Sequence, residues 1–265
     1  MVEYQKTLLT YIDIMGFRKM IAESQKDPTK INVILDILKK TREQTAITYK
    51  KIVTTRTSID AMEARNFSDL ILRVTPLGLG TVNMKQAISM ECLILTSIQC
   101  ELFLKSGILL RGGMCVDDLY FENDIVFGPA LVNAYELENT IAVFPRIVVD
   151  RQSFMLHRDE MELAIGVFLQ RGDDGAYFID YLYSVYINAL ALSEFKTHET
   201  QLLSVHKKQV ETKLKEFGGQ NDRIKQKALW LALYHNSVLN RLMAWNPAKI
   251  DMFRELLISE RQLEI

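Results

Sequence analysis

The chain has 265 residues, 48% of them apolar and 25% charged, which suits one large hydrophobic core with an extension and excludes wholesale disorder. Its 32 Lys and Arg against 33 Asp and Glu give a formal net charge of −1, so no broad positive field exists to hold nucleic acid, and any polyanion has to be met by a few placed groups or a metal ion. Three cysteines, Cys92, Cys100 and Cys115, are an odd number without metal-ligand spacing and read as reduced core thiols rather than a disulfide framework or a zinc site.

No basic stretch followed by a long apolar run opens the chain, and no apolar run reaches the ~18 to 20 residues of a membrane span. A cytoplasmic protein with neither membrane nor nucleic acid as partner is therefore expected. In chain order, TLLTYIDI (7–14) reads as a first strand, and helical periodicity then covers 17–24 and 29–50, with Asp27-Pro28 as a start signal between them. Residues 58–76 read as a β-hairpin with arms AMEARNF and LILRVTP and a turn near Ser68-Asp69. A long helix over 81–105 stops at Ser106-Gly107. ILLRGGMCV (108–116) is a strand whose Gly112-Gly113 permits close backbone approach, and a short strand IVFG leads into a helix over 129–142 that opens on Pro129. RIVVD (146–150) is a strand, and FLQRGDDGAYFIDYL (168–182) a hairpin around Asp173-Asp174-Gly175. From 183 to 265 the chain is helical, with breaks at Gly218-Gly219 and Asn246-Pro247. The fold class is α+β, a mixed α and β domain over 1–182 with a helical extension over 183–265.

Two acids stand at strand ends amid apolar neighbours: Asp13 after TYI and Asp69 in NFSDLIL. A carboxylate so placed needs a cation, a set of N–H donors or a metal ion, and a helix cap or turn role accounts for either one alone. Brought together by a central sheet, the two would repel one another and favour a divalent cation with oxygen ligands, Mg²⁺ or Mn²⁺. The turn MGF feeding a helix adds backbone N–H groups and a positive dipole end suited to phosphate oxygens. Metal plus helix N-terminus points to a nucleoside triphosphate.

YIDIMGFRKMI resembles the F-x-D-I-x-G-F-T signature of class III adenylate and guanylate cyclases. RNFSDLIL resembles their K-x-x-G-D hairpin, and LLRGGMCV…IVFGPALVNAYELE is similar to their R-x-G-I-x-x-G…G-D-x-V-N-x-A-x-R-L-E run. The resemblance covers about residues 7–150 and implies a ferredoxin-like mixed sheet flanked by helices. It also implies that Asp13 and Asp69 hold two metal ions per site, Mn²⁺ or Mg²⁺, that the Ile14 carbonyl adds a ligand, and that the Gly16 and Phe17 N–H groups cradle the triphosphate. Sites in that family lie between two subunits, which implies a homodimer with base-reading residues supplied across the interface.

The departures carry information too. Arg65 stands where purine cyclases carry the Lys that reads the base, and the family's transition-state Asn and Arg fall on Val132 and Glu136, with Asn133 one position away. Arg111 in LLRGG either replaces the missing Arg or pairs with Glu101 or Glu136. Asp124 competes with Asn123 for the second base-reading position, and Ser68 either touches the base or serves the turn. His157, His198, His206 and His235 share no ligand-like spacing, and Trp230 and Tyr234 lie on one helical face as packing residues. With FSD, LRGG, FGPAL, PRIVVD and a helical tail, the chain resembles the pyrimidine nucleotide cyclases of bacterial Pycsar anti-phage systems. That implies conversion of UTP or CTP to a 3′,5′-cyclic monophosphate and pyrophosphate. UTP is favoured because an Arg donor suits the uracil carbonyl at position 4. The competing readings are a purine cyclase with an altered base pocket and an inactive, nucleotide-binding cyclase-like protein.

Overall fold

Leu8, Leu9, Ile12 and Ile14 are all fully buried on β1 (Gln5–Ile14), so both faces of this strand are covered. The structure, a computed structural model, describes residues 3–52, 63–77, 83–122, 125–191, 199–218, 220 and 222–263. After β1, a turn at Met15-Gly16 leads to α1 (Phe17–Lys26), and Asp27 then starts α2 (Thr29–Ile52) by accepting from the Thr29 N–H at 3.1 Å and its hydroxyl at 2.6 Å. β2 (Glu63–Phe67) and β3 (Leu70–Pro76) form the expected hairpin, and α3 (Met84–Ser106) follows. β4 (Leu110–Glu122), β5 (Ile125–Phe127), α4 (Pro129–Thr140) and β6 (Ile147–Val149) come next. The short helices α5 (Arg151–Leu156) and α6 (Arg158–Met161) and the hairpin strands β7 (Leu169–Arg171) and β8 (Tyr177–Ile179) complete this part.

The strand order is β2-β3-β1-β4-β6-β8-β7, with β5 paired to β4 off this path. β4 and β6 run parallel with α4 as their crossover, and β1 is antiparallel to both neighbours. The sub-order β4-β1-β3-β2 with helices in the two crossovers is the ferredoxin-like arrangement, so the fold is a mixed sheet flanked by helices, followed by a helical C-terminal part.

Alternation along β1 sorts its side chains between two helical layers. Thr10 donates to Glu91 of α3 at 2.8 Å, and the same carboxylate receives two bonds of 2.8 Å from Arg73 of β3, in a pair whose side chains are 0% and 2% exposed. Removing one partner of so buried a pair strands a charge, at a cost of about 3 to 5 kcal/mol. On the other face Leu9 packs with Leu72, Val74, Cys115 and Leu119 against Ala130 and Ala134 of α4. All three cysteines are free and buried, and burial pushes the Cys100 and Cys115 thiols up to about 12.

Two sequence expectations change. β4 extends to Glu122 rather than ending at 116, because Asp117 and Asp118 lie opposite Thr7 and Lys6 and pair with the Lys6 ammonium. α5 and α6 were not foreseen; Asp150 starts α5 by accepting from the Ser153 N–H at 2.7 Å. No uninterrupted apolar run of span length was expected; the 23 residues of α3 pass as a span by length and composition only, with 67% of the relevant stretch buried in the structure as in a core helix. Glu91, which breaks the apolar run in the sequence, is neutralised there by Arg73.

Two compact units divide the chain: Met1–Gln99 with Leu109–Asp180, and Cys100–Ile108 with Tyr181–Ile265. The second contains α7 (Tyr181–Ala191), α8 (Glu199–Gly218), α9 (Asp222–Trp245), α10 (Ile250–Glu255) and α11 (Glu260–Leu263). Trp230 and Tyr234 stack on one face of α9, as their spacing predicts. His206 and His235, unrelated by spacing, meet here with Nδ1 to Nδ1 at 3.0 Å, both buried, while His198 lies outside the described residues.

The proton arrangement of this pair follows by elimination. The Leu256 carbonyl, 3.0 Å from His235 Nε2, only accepts, so His235 carries its proton on Nε2 and its Nδ1 accepts from His206. His206 Nε2 then accepts from the Tyr181 hydroxyl at 2.8 Å. Both imidazoles are neutral, and burial holds both below the usual histidine range, His235 down to about 4. Since the unfolded chain takes up protons near 6.5 and the folded pair does not, stability falls as pH falls between about 6.5 and about 4, with a contribution from His235 of up to about 3 kcal/mol. Urea unfolding followed by circular dichroism should show the midpoint dropping across that window. In His235→Gln, whose amide still reaches the Leu256 carbonyl, the drop between about pH 6.5 and 5 should be shallower; an unchanged slope would refute the assignment.

Candidate functional site

The register of β1 assembles the site at its C-terminal end. Asp13 lies opposite Leu70 of β3 on one side and Arg111 of β4 on the other. The Ile14 N–H donates to the Asp69 carbonyl at 3.2 Å, which brings the β2-β3 turn against the end of β1. That turn is Ser68-Asp69, and Ser68 adopts a left-handed φ of 61°, so this exposed residue serves the turn. Asp13 and Asp69, 56 positions apart, thus sit on neighbouring backbone positions.

Arg111 reaches neither Glu101 nor Glu136, the two partners that the structural alternative gave it. Its Nε donates to Asp13 Oδ2 at 2.8 Å, and its Nη2 stands 2.6 Å from Glu138 Oε1 in an ion pair by distance, without hydrogen-bond alignment. Glu101 instead pairs with Lys105 along α3. The reason is register: Arg111 is the cross-strand neighbour of Asp13, a relation 98 positions apart that spacing does not disclose.

Gly113 sets how closely α4 approaches. A Cβ there would lie 2.5 Å from the Ala134 carbonyl and 2.6 Å from Leu137 Cβ, so glycine is what lets α4 settle on β4 with Glu138 over Arg111. Tyr11, opposite Gly113 and two residues before Asp13, packs edge-on against Tyr135 of α4 with ring centroids 5.6 Å apart. Burial raises the Tyr11 phenol, and the charges of Glu138, Asp13, Tyr135 and Asp69 add to the rise. Tyr11, Tyr135 and Glu138 received no role from the sequence; the i, i+3 spacing of Tyr135 and Glu138 on α4 was the available signal that they share a face.

Beyond Asp13 the chain turns at Gly16, whose φ of 81° is left-handed, and α1 starts there without a side-chain cap or an acid in its first turn. The Gly16 carbonyl accepts from Lys19 and Met20 at 3.0 and 3.2 Å, and the space where a Gly16 Cβ would project is open. The first amides of α1, including Phe17, thus face no side-chain acceptor of their own helix.

Arg65 stands on β2 opposite Leu72, and its side chain lies outside the described residues, as do Asn123 and Asp124. Val132 and Glu136 are exposed on α4. Asn133 donates to Asp117 Oδ2 at 2.8 Å, six positions along β4 from Arg111, or about 20 Å, so it does not join Asp13 within this chain. Among the described residues no group of three or more His, Cys, Asp and Glu is placed so that it could hold a metal ion. The carboxylates of Asp13 and Asp69 and the Ile14 carbonyl would offer oxygen donors only, the kind that suits Mg²⁺ or Mn²⁺. Arg111 bonds Asp13 through Oδ2 and leaves Oδ1, on a side chain 21% exposed, for another partner.

No family model matches the sequence, and no curated protein matches it. Among solved structures, the chain is similar to the monomeric guanylyl cyclase domain of the RhoGC fusion protein from Blastocladiella emersonii at 17% identity, over 67% of this chain and 95% of that one, with a TM-score of 0.47. It is similar to the adenylyl cyclase CyaB from P. aeruginosa at 14% identity, over 67% and 94% of the two chains, with a TM-score of 0.44. For the guanylate cyclase domain of RhGC from Catenaria anguillulae in complex with GTP the values are 17%, 67%, 97% and 0.44.

The packing at Gly113 is open to test. Gly113→Ala forces α4 off β4, with an expected loss of about 1 to 3 kcal/mol in urea unfolding. An unchanged midpoint would show that the helix is not seated by this contact.

Proposed function

We propose that the chain is a divalent-metal-dependent nucleotidyl cyclase that converts a pyrimidine nucleoside triphosphate, UTP ahead of CTP, into the 3′,5′-cyclic monophosphate and pyrophosphate. The observation that carries the reading is the adjacency of Asp13 and Asp69 at the ends of neighbouring strands, next to the uncapped start of α1 at Gly16. Residues 1–182 are then the catalytic part, and the helices after 182 are its extension. Divalent ions, two per site, held by Asp13, Asp69 and the Ile14 carbonyl would lower the pKa of the ribose 3′-hydroxyl and neutralise charge on the triphosphate.

The remaining work falls to the chain's own groups. The Gly16 and Phe17 N–H groups offer donors to triphosphate oxygens at a helix N-terminus, where the dipole favours anions. Arg111 brings a guanidinium into the same site, where Asp13 and Glu138 already orient it. As the 3′-oxygen bonds to the α-phosphorus, the bond from that phosphorus to the β-phosphate oxygen breaks; the hydroxyl proton goes to solvent and pyrophosphate leaves. Arg65 and Asp124 of a second copy read the base in this proposal, which makes a homodimer the active unit. The pyrimidine assignment rests on Arg65 replacing a purine-reading Lys and on the wider Pycsar resemblance, under which the cyclic product is a second messenger in anti-phage defence.

Incubation of the purified protein with Mn²⁺ and each of the four nucleoside triphosphates in turn, with products resolved by chromatography, tests the reading. Cyclic UMP in excess over cyclic CMP is expected. Cyclic AMP or GMP alone would replace it with the purine reading, and no cyclic product with the binding-only one. Asp69→Asn should cut turnover by about a hundredfold or more, and wild-type turnover in that variant would sink the metal assignment.

A further inference from the structure

Arg111 is shared between two carboxylates of unlike surroundings. Asp13, 21% exposed, receives its Nε at 2.8 Å, whereas Glu138, 4% exposed, stands against its Nη2 at 2.6 Å. Separating the buried carboxylate from this cation is the costlier step, because its surroundings solvate charge poorly. The partly exposed carboxylate can exchange one cation for another, because water screens the change. The two contacts of one guanidinium therefore differ in permanence: that to Glu138 is the fixed one and that to Asp13 the exchangeable one.

From this we infer that Glu138 is a positioning residue, which anchors Arg111 as a placeholder cation on Asp13 that an incoming divalent ion displaces without expelling Arg111 from the site. The inference deepens the proposed function and rests on its reading of Asp13 as a metal ligand. Glu138 is fit for this because it lies in the last turns of α4, where the close approach at Gly113 seats the helix, and because its neighbour one turn earlier, Tyr135, braces Tyr11 beside Asp13. Entry of the ion then needs Arg111 to yield Oδ2 of Asp13 and not to leave, because Glu138 keeps the guanidinium.

A salt bridge that merely braces the strands predicts the opposite sign for the decisive measurement. Mn²⁺ binding to the full-length chain without nucleotide, followed by electron paramagnetic resonance, supplies it, with circular dichroism to confirm folding. If Arg111 is a placeholder, Arg111→Gln tightens Mn²⁺ by about tenfold, because the competing charge is gone. Glu138→Gln weakens it by about tenfold, because Arg111 is released fully to Asp13 and its charge is uncompensated. The double variant binds like Arg111→Gln. If the pair is only a brace, Arg111→Gln loosens Asp13, and Mn²⁺ binding is weakened or unchanged, which overturns the inference. Should Arg111→Gln fail to fold, Glu138→Gln decides: unchanged or tighter Mn²⁺ overturns the proposal. Asp69→Asn separates the two layers of argument. Loss of Mn²⁺ binding there supports the metal reading whatever the Arg111 variants do, and Mn²⁺ binding indifferent to Asp69 overturns both.

Discussion

The antiparallel register of β1 between β3 and β4 is the constraint on which the rest of the first unit depends. It sets Asp13 opposite Arg111 on one side and opposite Leu70, next to Asp69, on the other. Because side chains alternate along a strand, a slip by one residue would exchange the two faces of β1, sending Asp13 and Tyr11 toward α3 and Thr10 toward α4. The apolar content of both faces specifies the register strongly, and the placement of the acids follows from it rather than from any attraction between them.

The same strand carries two kinds of charge cluster, told apart by exposure. On the α3 side, Arg73 and Glu91 are sealed and bidentate, with Thr10 adding a third bond, so every strong donor and acceptor there is committed to structure. On the α4 side, Asp13 and Arg111 are about one quarter exposed, and only Glu138 is sealed. A sealed ion pair has nothing to offer a ligand, whereas a partly solvated carboxylate beside an open turn does. The distinction is one of dielectric surroundings rather than residue type.

The helical unit solves a different problem. Its core holds two imidazoles that accept neutrality because Tyr181, His206, His235 and the Leu256 carbonyl form one chain of donors and acceptors with a single satisfying arrangement. Buried polar groups of this kind are tolerable only when each is paired, and here each is. The network makes this unit sensitive to acid.

Much of this architecture was written locally. The TLLTYIDI run, the hairpin closing at Ser68-Asp69, the start of α4 at Pro129 and the helical tail each follow from periodicity and turn chemistry within a dozen residues, and so does the notice that Asp13 and Asp69 sit oddly at strand ends. Short helices after Asp150 and the continuation of β4 through Asp117 escaped, since their signals are one capping bond and one lysine paired across strands. The sequence by itself determined most of the elements and which acids stood oddly at strand ends, because those depend on near neighbours along the chain. Only the tertiary structure decided that Arg111 divides itself between Asp13 and Glu138 and that His206 meets His235, because such pairings are set by strand register and helix packing between residues far apart in the chain.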